Sequence, residues 1–573
     1  SGFFTIFFLT MALILPLVII VMYIVPTFIL TDPSQMGIMF ITGNIFSAVF
    51  IAGDFGLAQA FDKFVGEEYI KNPKKAMKYV QFFIWFQMLS GLVQTVVIAM
   101  LGLYLIPKTL SMAFMSYQFV LKAFIQWPGI GYLWTHSLKA IQRADKEQVV
   151  NLISLILFDV IGMGIFSGLF LALGNSNPKI GPVVGGAMGL TIAEVAKTFG
   201  LLIVSGIMFS KTDKRFRLID MFRIDFDKAL VKETLIFGLK AMLSTVIFLF
   251  GNFFVTIIIM LRLDNYTYWG TFIGSATLLL YPVTFMIVLF ESQLPTIAES
   301  YSAGCQNLTK AYISYAWKYT GTFGIFIGAA FLFFVGSFLT VILPDLYKPM
   351  GYFVGFYSIT KFTTLLGDFS RLFLIAINKV GNYIVFVLIE QIIRVLIFVL
   401  LIDRLDRPEL LLIWGELPGV IIKVIATWRY TDKKVISVKI NIYQTIIAPL
   451  IATAVFVLIG LSLNQIYLVL IGFIFPLIPT IIFTFLIFSG LFLVVYPFVL
   501  GLLGSWDVSE LSQLRFATYT SGPSKVFSTF FYKFSVLGSK MAPNFGKHVI
   551  NIENVEKDIE SLLEFQKKRD QST

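Results

Sequence analysis

One cysteine, Cys305, and two histidines, His136 and His548, are all that 573 residues offer of two common metal-ligand types. A lone thiol excludes an intramolecular disulfide and any cysteine-based metal site, and the two imidazoles are too few and too far apart for a metal cluster. Cys305 therefore reads as a small apolar filler. Charge is scarce as well: Asp, Glu, Lys and Arg make up 13% of the chain against 57% apolar residues, with a mean hydropathy of +0.85, whereas soluble domains carry about 25% charged residues. A water-soluble domain is excluded. The glycine-rich run GPVVGGAMG at 181–189 lacks the lysine of a phosphate-cradling G-x-x-x-x-G-K-[ST], which excludes ATP hydrolysis on this chain. No cofactor is expected. Period-2 alternation, the mark of a transmembrane barrel, is missing too.

Long apolar runs fill the chain instead. Segments 3–29, 243–261 and 380–402 each hold about 20 apolar residues, enough to cross about 30 Å of hydrocarbon as a helix. The expected class is an all-α polytopic membrane protein. Breaking the hydropathy at Pro, Gly and charge clusters gives about fourteen spans: 3–29, 36–65, 77–106, 112–138, 148–174, 183–210, 232–261, 266–294, 310–343, 351–377, 380–403, 409–429, 441–461 and 466–503. The last carries Pro476, Pro479 and Pro497 and could be two shorter segments. The chain opens Ser1-Gly2 without a Met, as processing, truncation or a tag scar would leave it, and its first apolar run is too long for a signal-peptide core.

The net charge of +11 gathers after the even-numbered spans. Lys71, Lys74, Lys75 and Lys78 follow the second, Lys139, Arg143 and Lys146 the fourth, Lys211 to Lys228 the sixth and Arg429 to Lys439 the twelfth. The opposite loops are poorer, so the positive-inside rule places both termini in the cytoplasm of a plasma-membrane protein. The basic excess is then topological, and a nucleic-acid partner loses its support. Ala140-Ile141-Gln142-Arg143 matches Ala376-Ile377-Asn378-Lys379 at an offset of 236, and the turn at 65–76 resembles that at 297–311 with Lys75-Ala76 and Lys310-Ala311 offset by 235. A duplication of six-span halves follows. The expected organisation is an N-lobe over 1–210, a basic linker over 211–231, a C-lobe over 232–430, two added spans over 431–503 and a cytoplasmic tail over 504–573. In that tail Ile552, Val555, Ile559 and Leu562 recur at helical spacing, a short amphipathic helix that could pack on the lobes, on a partner or on itself.

Ionisable residues inside spans carry the functional signal, since each costs about 2.5–3.5 kcal/mol at mid-membrane unless it faces a cavity or a partner. Glu194 with Lys197, Asp368 with Arg371 and Glu390 with Arg394 lie one turn apart and read as local neutralisation. Lys122, Lys240 and Lys361 have no acid within one turn. Lys122 and Lys361 fall at similar depth on helices equivalent under the repeat, while Lys240 lies nearer the cytoplasm, where snorkelling serves it. For the deep pair three readings stand: a water-filled cationic cavity, pairing with an acid from another helix, Asp54 or Asp159 being the nearest candidates, or misplaced spans. Asp225-Phe226-Asp227 has the D-x-D form of metal-binding glycosyltransferases, but in a linker of about 20 residues it reads as the acidic start of the seventh helix.

The run AGDFGLAQAFDKFVGEEYIKNPKKAMKYVQ (52–81) resembles the second span and first cytoplasmic turn of polysaccharide-transporter flippases. FGLKAMLSTVIFLFGNFFV (237–255), leading to QLPTIAESYSAG (293–304), is similar to that family's seventh and eighth helices. Over about residues 1–503 the resemblance implies the multidrug/oligosaccharidyl-lipid/polysaccharide (MOP) flippase fold, with two six-helix lobes about a central cavity and two further helices. It also implies alternating-access flipping of a polyprenyl-linked oligosaccharide, and it carries Asp54, Gly56 and Leu57 onto the helix lining or supporting the N-lobe cavity. The first span lacks the ionisable residues of the drug-exporter and lipid II branches, which favours the polysaccharide branch. The leading expectation is a flippase for a polyprenyl-(pyro)phosphate oligosaccharide. Lys122, Lys240 and Lys361 would attract the phosphate, with Asp54, Asp368 and Arg371 as further candidate substrate-site residues and membrane lipids around them. A cation-coupled multidrug antiporter relying on Asp54 is the second reading, and a non-transporting scaffold whose tail recruits glycan-assembly enzymes the third.

Overall fold

The computed structural model describes residues 72–105, 113–126, 133–140, 153–212, 218–262, 304–335, 343–376, 379–405, 410–438, 440–470, 477–547 and 555–561, with isolated positions between 4 and 68 and between 146 and 301. All regular structure among the described residues is helical. The helices are α1 Pro73–Met100, α2 Ala113–Gln126, α3 Leu133–Ala140, α4 Met163–Ser176, α5 Gly181–Thr212, α6 Lys228–Arg262, α7 Gln306–Ala330, α8 Lys348–Ala376, α9 Val380–Leu401, α10 Leu411–Tyr430, α11 Ala448–Leu470, α12 Leu477–Leu502, α13 Val508–Thr520 and α14 Lys525–Met541, followed by α15 over 555–561. Seven spans among them are long and apolar enough to cross a membrane, from Pro73–Tyr104 to Tyr443–Leu463.

Burial along α1 departs from that of a soluble helix, because glutamines are buried beside its apolar core residues while large aliphatic side chains stay exposed. Gln81, Gln87 and Gln94 are buried, while Leu89, Val93, Val96 and Met100 are exposed. Lipid accepts the apolar face, and the polar side chains turn inward to find partners: Gln81 donates to the Asp220 carbonyl at 2.7 Å and Gln94 to Ser90 Oγ at 2.7 Å.

The chain divides into two compact units, one of residues 24–275, 379–411 and 567–573 and the other of 1–23, 276–378 and 412–566. In the first, Leu57, Phe61, Phe64, Tyr79, Phe83, Trp134 and Phe209 form the core, and α6 packs along α9. Gly56 allows the tightest approach there. It adopts φ +65°, and a methyl on it would meet the Gly238 carbonyl oxygen at 2.1 Å. Glycine alone provides both the left-handed backbone and the space.

In the second unit α7 runs antiparallel to α12, with Phe326 against Phe492 and Tyr496 and the Tyr496 hydroxyl donating to the Thr322 carbonyl. The end of the chain departs from expectation twice. Asn464-Gln465, expected in a turn between spans, lies inside α11, which runs to Leu470 before α12 opens at Leu477. A helix satisfies its own backbone in lipid where a turn would not, and Pro479 sits in the first turn of α12, where its missing N–H costs nothing. Beyond 504, more than one amphipathic helix forms. Asp507 and Glu510 build a reciprocal capping box that starts α13, and α14 returns along α12 so closely that a methyl on Gly538 would meet the Phe498 carbonyl oxygen at 2.1 Å. Phe531 of α14 packs among Phe8, Phe323, Phe492 and Trp506.

The two repeat-related turns are capped differently. Asn72 caps α1 by accepting from Lys75 N at 3.1 Å, with Pro73 following at the first position. At the matching turn α7 begins from Cys305, whose side chain makes no capping bond. Asp558 of α15 supplies it: its Oδ2 accepts from Asn307 N at 2.8 Å and Leu308 N at 3.0 Å, the amides an N-cap side chain would serve. Among the packings open to the amphipathic segment, the one observed is on its own chain. Cys305 is buried as a filler would be, though its thiol also approaches the Asp558 carbonyl at 3.6 Å.

Candidate functional site

Two helices of the first unit carry the cation of greatest interest. On α2, Gln118 and Lys122 are one turn apart. On α5, Thr191 and Glu194 face them, with Thr191 hydrogen-bonded to Gln118 and Lys122 Nζ 2.8 Å from Glu194 Oε2. Phe46 adds a ring face 5.0 Å from the ammonium. The Lys122 side chain is 6% exposed and that of Glu194 43%, so the pair is sealed on its cationic side and open on its anionic side. Of the three readings for Lys122, pairing with an acid from another helix describes it. Among the described side chains the acid is Glu194, which the sequence pattern assigned to Lys197; the Asp159 side chain, like Asp54, lies outside the described residues. The cause is helix rotation: Glu194 faces α2.

The remaining sequence-derived residues fall as follows. Asp54 lies outside the described residues. Lys240 is exposed on α6, half a turn past Gly238. Lys361, Asp368 and Arg371 share α8 in the second unit. Lys361 is half-buried, with Nζ 4.7 Å from the centre of the Tyr357 ring, and Arg371 is half-buried, while the Asp368 side chain is outside the described set. Glu390 and Arg394 are both buried, but Arg394 donates to Asn252 of α6, another bond across helices. The D-x-D motif faces Lys78, with Asp225 at 3.7 Å and Asp227 at 3.4 Å on the exposed surface.

Two charged sites escaped the sequence reading. Lys423 and Glu416 are buried on α10, and the Lys423 stem crosses the bare backbone of α8 at Gly367, where an added methyl would lie 2.7 Å from its Cε. Lys423 lies only six residues from the end of its expected span 409–429, so the depth criterion that singled out Lys122 passes it over. Lys318 of α7 and Glu510 of α13 form a 2.6 Å ion pair with both side chains fully buried. Trp506 lies 5.8 Å from the Lys318 ammonium, and Tyr315 donates to Asp507 at 3.3 Å. Burial pushes the Glu510 carboxyl up from the ordinary carboxylate range, while Lys318 draws it down. This pair fastens the α13–α14 hairpin to its unit.

No protein-family model matches the sequence, and no curated protein matches it. Solved structures do. An inward-facing multidrug resistance MATE family transporter of the MOP superfamily aligns with a TM-score of 0.54 at 13% identity, over 74% of this chain and 94% of that one. The outward-facing conformation of such a transporter gives 0.53 at 13%, over 74% and 95%. A MATE in the straight conformation gives 0.55 at 12%, over 75% and 94%. Over about three quarters of its length the chain thus shares the helical fold of these MATE transporter structures, and seven of its described helices are long and apolar enough to cross a membrane.

Proposed function

We propose that the chain is a membrane transporter of the polysaccharide branch that flips a polyprenyl-(pyro)phosphate oligosaccharide from the cytoplasmic to the outer leaflet. The observation that carries this reading is the cationic balance inside the described helices. Away from their ends the helices α2 to α10 hold Lys122, Lys197, Lys240, Lys318, Lys361, Arg371, Arg394 and Lys423 against Glu194, Asp368, Glu390 and Glu416, with Asp159 in the helical segment before α4 and Lys318 matched by Glu510 of α13. An excess of embedded cations favours an anion, and a lipid-linked phosphate keeps its tail in the bilayer while its head enters the protein. With no ATP motif, the membrane potential supplies about 2.3 kcal/mol per charge per 100 mV.

Glu194 favours a second reading. It is a half-exposed carboxylate inside a span, and the solved structures of this fold include a multidrug resistance transporter. A cation-coupled antiporter would use that carboxylate. Reconstituted wild type, Lys122→Met/Lys361→Met and Glu194→Gln separate the two readings through transbilayer movement of a fluorescent polyprenyl-pyrophosphate saccharide and uptake of a cationic dye. The flippase reading expects the lipid to move in wild type and stall in the double lysine variant while the fold persists. Dye uptake under an ion gradient that is lost in Glu194→Gln, with the lipid ignored, sinks it. Truncation at 505 cannot test a recruiting tail, because it also strips the partner from buried Lys318.

A further inference from the structure

Trp317 and Ile313 of α7, Phe373 of α8, and Trp428, Asp432 and Val438 at and after the end of α10 line a cleft within one unit. The cleft is partly open and its inner space is only about 10 Å³, room for one water-sized group. The walls are aromatic, and ring faces carry negative potential that attracts cations. Between them stands a carboxylate. Asp432 Oδ1 accepts from Val438 N and Ser437 Oγ, both at 3.2 Å, which fixes the group and leaves Oδ2 without a hydrogen bond among the described residues. Arg429, Lys433 and Lys434 are its neighbours in sequence, yet Asp432 forms an ion pair with none of them among the described residues. Asp432 is half-buried, so its free oxygen is open to a cation entering from outside, and none of the described side chains forms an ion pair with it.

We propose that this cleft binds the primary ammonium of a phosphoethanolamine-type lipid headgroup. An –NH₃⁺ group matches this water-sized space, whereas a trimethylammonium is several times larger. The cleft lies at the end of the span Leu411–Val435, the level at which tryptophans meet headgroups. Exposed Lys433 and Lys434 follow Asp432 directly and complement the phosphate of the same headgroup.

The test uses the full-length protein in maltoside micelles. Its thermal unfolding midpoint is followed on titration with short-chain phosphatidylethanolamine, short-chain phosphatidylcholine and water-soluble phosphoethanolamine. Wild type should be stabilised saturably by phosphatidylethanolamine, with phosphatidylcholine roughly tenfold weaker. Asp432→Asn keeps the amide-accepting oxygen but removes the charge, and should weaken the response by a similar factor. Trp428→Leu should do so through loss of a ring face, while Trp414→Leu, exposed earlier on the same helix, should not. Equal responses to the two lipids overturn the proposal, as does a wild-type response in both Asp432→Asn and Trp428→Leu. A soluble headgroup as potent as the lipid overturns the assignment to lipid in favour of a free amine.

Discussion

Replacing Glu510 by Gln removes the only charge partner of Lys318 among the described residues, at the centre of the α13–α14 docking surface. Both side chains are fully buried and 2.6 Å apart, and removing one member of such a pair costs about 3–5 kcal/mol because the other stays charged and desolvated. The glutamine keeps an oxygen for the Asp507 amide, which Glu510 Oε2 now accepts at 3.0 Å, so the capping bond survives. Expressed as local opening, the change weakens hairpin docking by roughly two to four orders of magnitude. Hydrogen exchange over 508–541 in detergent reads this directly, with cutting in the 521–524 turn as a second measure. Lys318→Met should cost a similar amount and also lose the Trp506 contact. The double variant Lys318→Met/Glu510→Gln should lie closer to wild type than the sum of the singles, by a coupling of about 0.5–3 kcal/mol. Singles that each cost under about 1 kcal/mol and simply add in the double would show that the Phe531 cluster alone holds the hairpin.

Three further outcomes follow from local geometry. Gly56→Ala must place a methyl 2.1 Å from a carbonyl at positive φ and should destabilise by about 2–5 kcal/mol; Gly490→Ala, with nothing within 4 Å, is the thermal-melt control, and equal behaviour of the two would refute the close contact. Asp558→Ala should cost about 1 kcal/mol and speed amide exchange at Asn307 and Leu308, while unchanged exchange there would show that water serves those amides as well. Asp225→Asn/Asp227→Asn should shift the melting midpoint by the equivalent of at most about 0.5 kcal/mol, and a divalent cation that stabilises wild type but not this variant would revive the glycosyltransferase-like reading of the motif.

Helix positions were legible because a run of about 20 apolar residues has few alternatives in lipid. Gly181–Thr212 and Lys228–Arg262 lie within a few residues of the expected 183–210 and 232–261. Partner choice was not legible. Glu194 is three residues from Lys197 but faces Lys122, 72 residues away, since one helix rotation outweighs a one-turn spacing. The α13 start was visible as Asp507-x-x-Glu510, an acidic variant of the capping box. The surrounding polar composition hid it, because polarity suggested a solvated tail and said nothing about Phe531 packing inward.

Asp558 stands 251 and 250 residues beyond the two amides it caps. At about 5–20 residues per second of synthesis, α7 therefore emerges from the ribosome roughly 10–50 s before its cap exists. During that interval the first turn must borrow water or the insertion machinery to hold its free N–H groups. A chain that stops early never closes that helix end. The bond between Asp558 and α7 thus records that translation passed residue 558, so a protease or chaperone reading the exposed turn could sort molecules that carry this segment from those truncated before it.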